Sequence, residues 1–170
     1  MLKQKIGIIL CLIILCIYSY QFMTKDSDSH IYGDDKESIV KAIQLIEQDK
    51  SKEEIEILKI IDIKNDRIVA YLYKNGPGFI QFTKKLSGNY LVTDNSNGSD
   101  NPLEPYVLDI DSDASIQMLL LVNNEDNNIS KVKLNVNNQT IEKQIKVGQK
   151  SFSISKIPKS NNDNYDFKYE

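Results

Sequence analysis

Apolar positions change their spacing twice along this chain. Residues 6–23 hold no charge and are dominated by Ile, Leu, Tyr, Phe and Cys. Eighteen helical residues rise about 27 Å, close to the ~30 Å of a bilayer core, so the segment predicts one membrane-spanning helix. Further on, Ile39, Val40, Ile43 and Ile46 recur at helical spacing, with Lys36, Lys41, Gln44, Glu47 and Gln48 on the opposite face. Asp34 and Glu37 look like a capping box ahead of a helix over 35–49. From residue 55 the period falls to two. Ile55, Ile57, Ile61 and Ile63, then Ile68, Ala70 and Leu72 interleaved with Val69, Tyr71 and Tyr73, predict two strands around a tight turn at 64–66. Asn75, Gly76, Pro77 and Gly78 predict the next turn, 79–85 a third strand, and 87–89 a turn into a fourth strand at Tyr90.

The third strand directs Ile80 and Phe82 to one side, and Phe79, Gln81 and Thr83 to the other. The second strand is apolar on both faces, so one face needs the helix and the other needs cover from the C-terminal part or from another protein. Residues 94–105, rich in Asn, Ser, Asp and Gly, read as a boundary. Beyond it, strands are expected at 106–110, 116–122, 130–136, 140–147 and 151–157, with Tyr165, Phe167 and Tyr169 either adding a last short strand or fraying. The fold class is α+β: a transmembrane helix, one amphipathic helix on an antiparallel β-meander, then a small antiparallel β unit. The expected organisation is an anchor at 1–23, a tether at 24–33, an α+β unit at 34–94, a linker at 95–105 and a β unit at 106–170.

Flanking charge orients the anchor. Lys3 and Lys5 precede it, whereas Lys25, Asp26 and Asp28 follow, which places the N-terminus in the cytoplasm and the rest outside the cell membrane. Tyr18, Tyr20 and Phe22 crowd the place where a signal peptide needs small residues, so the anchor is expected to stay uncleaved. Cys11 and Cys16 both lie inside it, which leaves no disulfide or cysteine metal site in the remainder. Past the anchor, 19 basic residues face 24 acidic ones, a formal charge of −5. Such a domain is expected to stand off an anionic membrane, and the pI near 5.3 argues against nucleic acid as a partner.

Candidate chemistry is sparse. His30, the single histidine, sits in the polar tether, away from any triad or zinc set. Asp109, Asp111 and Asp113 have the odd spacing of a calcium loop, but Ala114 replaces the turn glycine and Leu120 the bidentate Glu, which excludes an EF-hand. No run of backbone donors leads into a helix and lysine after Gly78, as a phosphate loop requires. Lys131, Lys133, Lys143, Lys146 and Lys150 read either as a face for an anionic polymer or as lysines guarding wet strands. Tyr71, Tyr73, Phe79 and Tyr90 read either as core or as the lining of a groove. Acidic residues such as Glu53, Glu54, Glu56, Asp62, Asp109 and Asp111 offer carboxylates without a distinguishing pattern.

The run of residues 78–90, from Gly78 through Phe82, Lys84, Lys85 and Gly88 to Tyr90, together with the order of parts, resembles short membrane-tethered proteins of unknown function from low-GC Gram-positive bacteria. That resemblance implies no activity, no cofactor and no site residues. The expectation is a membrane-anchored, extracytoplasmic, non-enzymatic binding protein whose partner is another cell-envelope protein, with Tyr71, Tyr73 and Phe79 as the partner-binding candidates. The alternative is a small envelope hydrolase or transferase using carboxylates or a Ser–Lys arrangement. No metal, no cofactor and no catalytic residue is assigned. Cell fractionation followed by protease treatment of intact protoplasts should leave the protein in the membrane fraction with residues beyond the anchor degraded. Full-length protein in the soluble fraction would refute the anchor.

Overall fold

The computed structural model describes residues 31–48, 52, 54–110 and 116–170. The expected anchor, most of the tether, and Asp111 and Asp113 lie outside the described residues. Among the described residues no helix is long and apolar enough to cross a membrane. Residues Tyr32–Glu170 form one compact unit. Its described residues contain one helix, α1 (Lys36–Ile46), and ten strands: β1 (Ile55–Ile63), β2 (Asp66–Tyr73), β3 (Gly76–Lys84), β4 (Tyr90–Ser96), β5 (Leu103–Leu108), β6 (Ile116–Asn123), β7 (Lys131–Val136), β8 (Gln139–Gln144), β9 (Ser151–Pro158) and β10 (Asp166–Tyr169). All pairings between strands are antiparallel.

The expected meander is present, in the order β1-β2-β3-β4. The C-terminal part consists of two sheets, β5-β6-β9 and β10-β7-β8. After β6 the chain builds the β7–β8 hairpin, returns to pair β9 with β6, then crosses again to pair β10 with β7. Helix, meander and the two three-stranded sheets are stacked in that order. Ile68, Ala70, Leu72 and Phe79 of the meander meet Leu108, Ile110, Leu120 and Val122 across the first sheet interface. The other side of β6 carries Leu119 and Leu121 into a second core with Leu103, Val132, Leu134, Val136 and Ile157. The missing cover for β2 therefore comes from within the chain.

On the opposite face of the meander, α1 buries Ile39, Ala42 and Ile43 over Val69, Tyr71, Ile80 and Phe82. Phe82 is fully buried, and its ring lies so close to Gly33 that a Cβ there would sit 2.5 Å from ring carbons. The capping box forms one residue later than the spacing suggested. Asp35 accepts from the Ser38 amide at 2.7 Å, and the Ser38 hydroxyl accepts from the Asp35 amide at 2.9 Å. This bond holds the Asp35 carboxyl below its ordinary range. Asp34 is used elsewhere: its carboxylate accepts from the Tyr90 amide at 2.7 Å, and its carbonyl accepts from Arg67 at 2.9 Å.

Two turn expectations also move. The β2–β3 turn is Lys74-Asn75, with φ of 49° and 70°, so Gly76, Pro77 and Gly78 belong to the strand. Tyr73 and Gly76 close this two-residue hairpin, which directs the Pro77 nitrogen away from β2; β4 has already ended there, at the Ser96–Phe79 pair. The stretch expected as a linker at 95–105 is shorter, because β4 continues to Ser96 and β5 starts at Leu103.

Leu120 and Leu121 are essentially fully buried and face the two different cores. Leu120→Ala and Leu121→Ala should each remove about 2–5 kcal/mol. In thermal melts of residues 29–170 followed by circular dichroism, both should lower one common transition. Phe82→Asp should abolish that transition altogether.

Candidate functional site

Tyr71, Tyr73 and Phe79 do not share a surface. Tyr71 is fully buried beneath α1, while Phe79 is 4% exposed on the other face, its ring 4.7 Å from that of Tyr106. Side chains alternate across a strand, and cover on both sides turns this aromatic set into core. Only Tyr73 is partly exposed, at the end of β2. Tyr90 packs elsewhere, beneath the Arg67 guanidinium at 4.2 Å.

Tyr73 instead borders a polar cleft of about 440 Å³ assembled from four separate segments. These are the C-terminal end of α1, the Lys74-Asn75 turn, residues 97–100 and the turn after β6. Glu47, the C-cap of α1, ties the first of them to the third. Its Oε1 accepts from the Tyr71 hydroxyl at 2.6 Å and from the Gly98 amide at 2.7 Å. Burial, reinforced by Glu47, pushes the Tyr71 phenol far above its ordinary range, so it stays a neutral donor. Asn97 donates to the Ile46 carbonyl at 3.2 Å. Gly76 lets the backbone of Ser99 pass where a Cβ would collide, and the Ser99 amide donates to the Pro77 carbonyl at 2.9 Å.

The opposite wall is equally bound. Asn124 donates to the Asn75 carbonyl at 2.8 Å, and Asn75 donates to the Asp126 carboxylate at 3.0 Å. Lys74 pairs with Glu54 at 3.3 Å and lies 5.0 Å from the Tyr73 ring centroid. The rim thus offers exposed carboxylates at Asp100 and Asp126, amides at Asn75 and Asn97, one ammonium and one aromatic ring. This mixture suits a ligand rich in hydrogen-bonding groups. Ser99 also lines the cleft, but its hydroxyl donates to Glu104 at 2.6 Å.

The remaining candidates fall into structural roles. Lys131 and Lys133 bridge to Glu142 and Glu170 on the outer face of the last sheet, and Lys150 pairs with Glu56 at 2.7 Å. The hydrogen bond to Glu170 raises Lys133 above its ordinary value. Asp62 pairs with Arg67. Asp109 accepts from Gln81 through its carbonyl at 2.9 Å and from Gln117 through its carboxylate at 3.5 Å. His30 and Glu53 lie outside the described residues. Among the described residues no group of three or more His, Cys, Asp or Glu is placed to hold a metal ion. A second cleft of about 440 Å³, near Asn135 and Asn161, is lined by asparagines that stitch its own loops together, as when Asn137 donates to the Lys159 carbonyl at 2.7 Å.

Sequence patterning passed over Glu47, Asn97, Asp100, Asn124 and Asp126. Each stands in a polar turn or cap, and only the tertiary fold gathers them. Glu47→Ala should leave the Gly98 amide without its acceptor and the Tyr71 hydroxyl with the Ser96 carbonyl at 3.1 Å alone, a loss of about 1–3 kcal/mol. Glu47→Gln, which keeps a carbonyl oxygen, should lose less. Hydrogen exchange at the Gly98 amide should speed up in the alanine variant before global stability is exhausted. Comparison with protein-family models, with curated proteins and with solved structures finds no match to this chain.

Proposed function

We propose that the chain is a single-pass, membrane-anchored binding protein that displays the Tyr73–Asp100 cleft to the cell envelope. The observation that carries this reading is the placing of two features at opposite ends of the meander. The chain enters the compact unit beside Tyr90 and Leu91, where Tyr32 bridges Leu91 and the Gly33 amide donates to the Tyr90 carbonyl at 2.9 Å. The cleft lies at the other end of β2 and β3. Eight residues of β2 separate the two, about 24 Å. A domain held at the first end presents the second to whatever lies beyond the membrane.

The charge-free segment at 6–23 supports the anchor, and Lys3 and Lys5 support the outward orientation. The rim supports a polar ligand or the polar edge of an envelope protein. In this reading its groups recognise rather than react: Glu47 is engaged by Tyr71 and Gly98, Ser99 by Glu104, and Lys74 by Glu54.

Photoreactive residues at Asn97 and Asp100, crosslinked in intact cells, test the proposal. Adducts to one defined envelope component, diminished by Asp126→Ala, are expected. Absence of adducts at both positions, or adducts equal to those from a photoreactive residue on the outer face at Gln144, would overturn it.

A further inference from the structure

The β3–β4 hairpin ends in an ordered turn. The Lys85 amide donates to the Asn89 carbonyl and the Gly88 amide to the Lys85 carbonyl, each at 2.9 Å. Leu86, at the tip, has a relative exposure of 110%, against 63% for the next most exposed large apolar side chain among the described residues, Leu45. A single exposed leucine is ordinary on a protein surface. The setting of this one is not. Lys84 and Lys85 precede it, both exposed, and Lys64 stands on the neighbouring β1–β2 turn, where the Asn65 carbonyl accepts from the Lys84 amide at 2.7 Å. All of this lies at the end where the chain enters the compact unit through Tyr32, Gly33 and Asp34.

We infer that this tip docks on the bilayer that anchors the chain, with Leu86 entering the boundary between headgroups and acyl chains and Lys84 and Lys85 facing anionic headgroups. The inference rests on the anchored reading proposed above. Eight residues, 24–31, separate the charge-free segment from Tyr32, at most about 30 Å of chain, which keeps the tip within reach of the surface. The formal charge of −5 beyond the anchor opposes approach only at long range, because screening shortens electrostatics to about 8 Å in physiological salt. Of the acids at this end, Asp62 pairs with Arg67 at 2.7 Å, Asp66 is buried and accepts from the Thr83 hydroxyl at 2.6 Å, and the Asp34 carboxylate accepts from the Tyr90 amide. One leucine and two lysines make a weak contact on their own. Tethering makes it intramolecular, so a weak contact is enough to orient the domain.

Full-length protein carrying Cys11→Ala, Cys16→Ala and Ser87→Cys, with Leu86 intact, can be spin-labelled at position 87 and reconstituted into vesicles. A second preparation carries the label at Asp100→Cys. In vesicles containing phosphatidylglycerol, the label at 87 should be several-fold less accessible than the label at 100 to a water-soluble paramagnetic quencher. Lys84→Gln with Lys85→Gln should shift the docked-to-free ratio about thirtyfold towards free, as should pure phosphatidylcholine vesicles. Leu86→Ser should restore much of the accessibility while leaving the fold unchanged by circular dichroism. Equal accessibility at 87 and 100 in protein that resists carbonate extraction would overturn the docking and leave the anchor standing. Protection at 87 that survives both the lysine substitutions and neutral vesicles would also overturn it, pointing to contact between copies of the chain. Protein released by carbonate would overturn docking and anchor together.

Discussion

Two strands without a wet face determine how this domain is built. Val69, Ala70, Tyr71 and Leu72 of β2 and Leu119, Leu120, Leu121 and Val122 of β6 are all buried, whichever way they point. An antiparallel strand ordinarily leaves one face to water. A strand that does not must lie between two layers, so β2 demands a helix and a second sheet, and β6 demands sheets on both sides. The stack from α1 to the β10-β7-β8 sheet satisfies both demands. Only at its far end does alternation become clean, with Val132, Leu134 and Val136 inward and Lys131, Lys133 and Asn135 outward.

The cleft follows from the same arrangement. Stacked sheets bury their faces and leave their ends to turns, and at one end those turns come from α1, the meander and the β5-β6-β9 sheet together. Polar side chains there hold the turns to each other: Glu47 fixes Gly98, Asn124 fixes Asn75, and Asn75 fixes Asp126. A rim braced in this way is preorganised, which would lower the entropy lost by any ligand bound there.

Strand periodicity was legible wherever one face is dry and the other wet, and β7 and β9 match the alternation of Val132, Leu134, Phe152 and Ile154. The double-sided burial of β2 was legible too, as was its need for cover. What supplied the cover was not, because the core cluster that holds both Leu72 and Leu120 joins strands far apart in sequence and leaves no local mark. The Asn-Gly-Pro-Gly run misled for a physical reason. Its glycines serve close approach to Ser99 and Tyr71, not reversal, and the reversal falls on Lys74-Asn75 in a left-handed conformation that sequence assigns to glycine first. The aromatic candidates Tyr71 and Phe79 read as surface only while the cover was unknown. Glu47 looked like one more exposed helix charge, because its partners are a buried phenol and a backbone amide from distant segments.

The clamp around Arg67 has a mechanical meaning. Its guanidinium grips the carbonyls of Gly33 and Asp34, each at 2.9 Å, is braced by Asp62, and stacks on Tyr90. A pull arriving along the preceding chain would be delivered to β2 and β4 at this staple before it reached α1. The load would then spread through a hydrogen-bonded sheet instead of peeling the helix from its N-terminal end. The single arginine of the chain thereby backs the Tyr32–Leu91 bridge, where tension would first be felt.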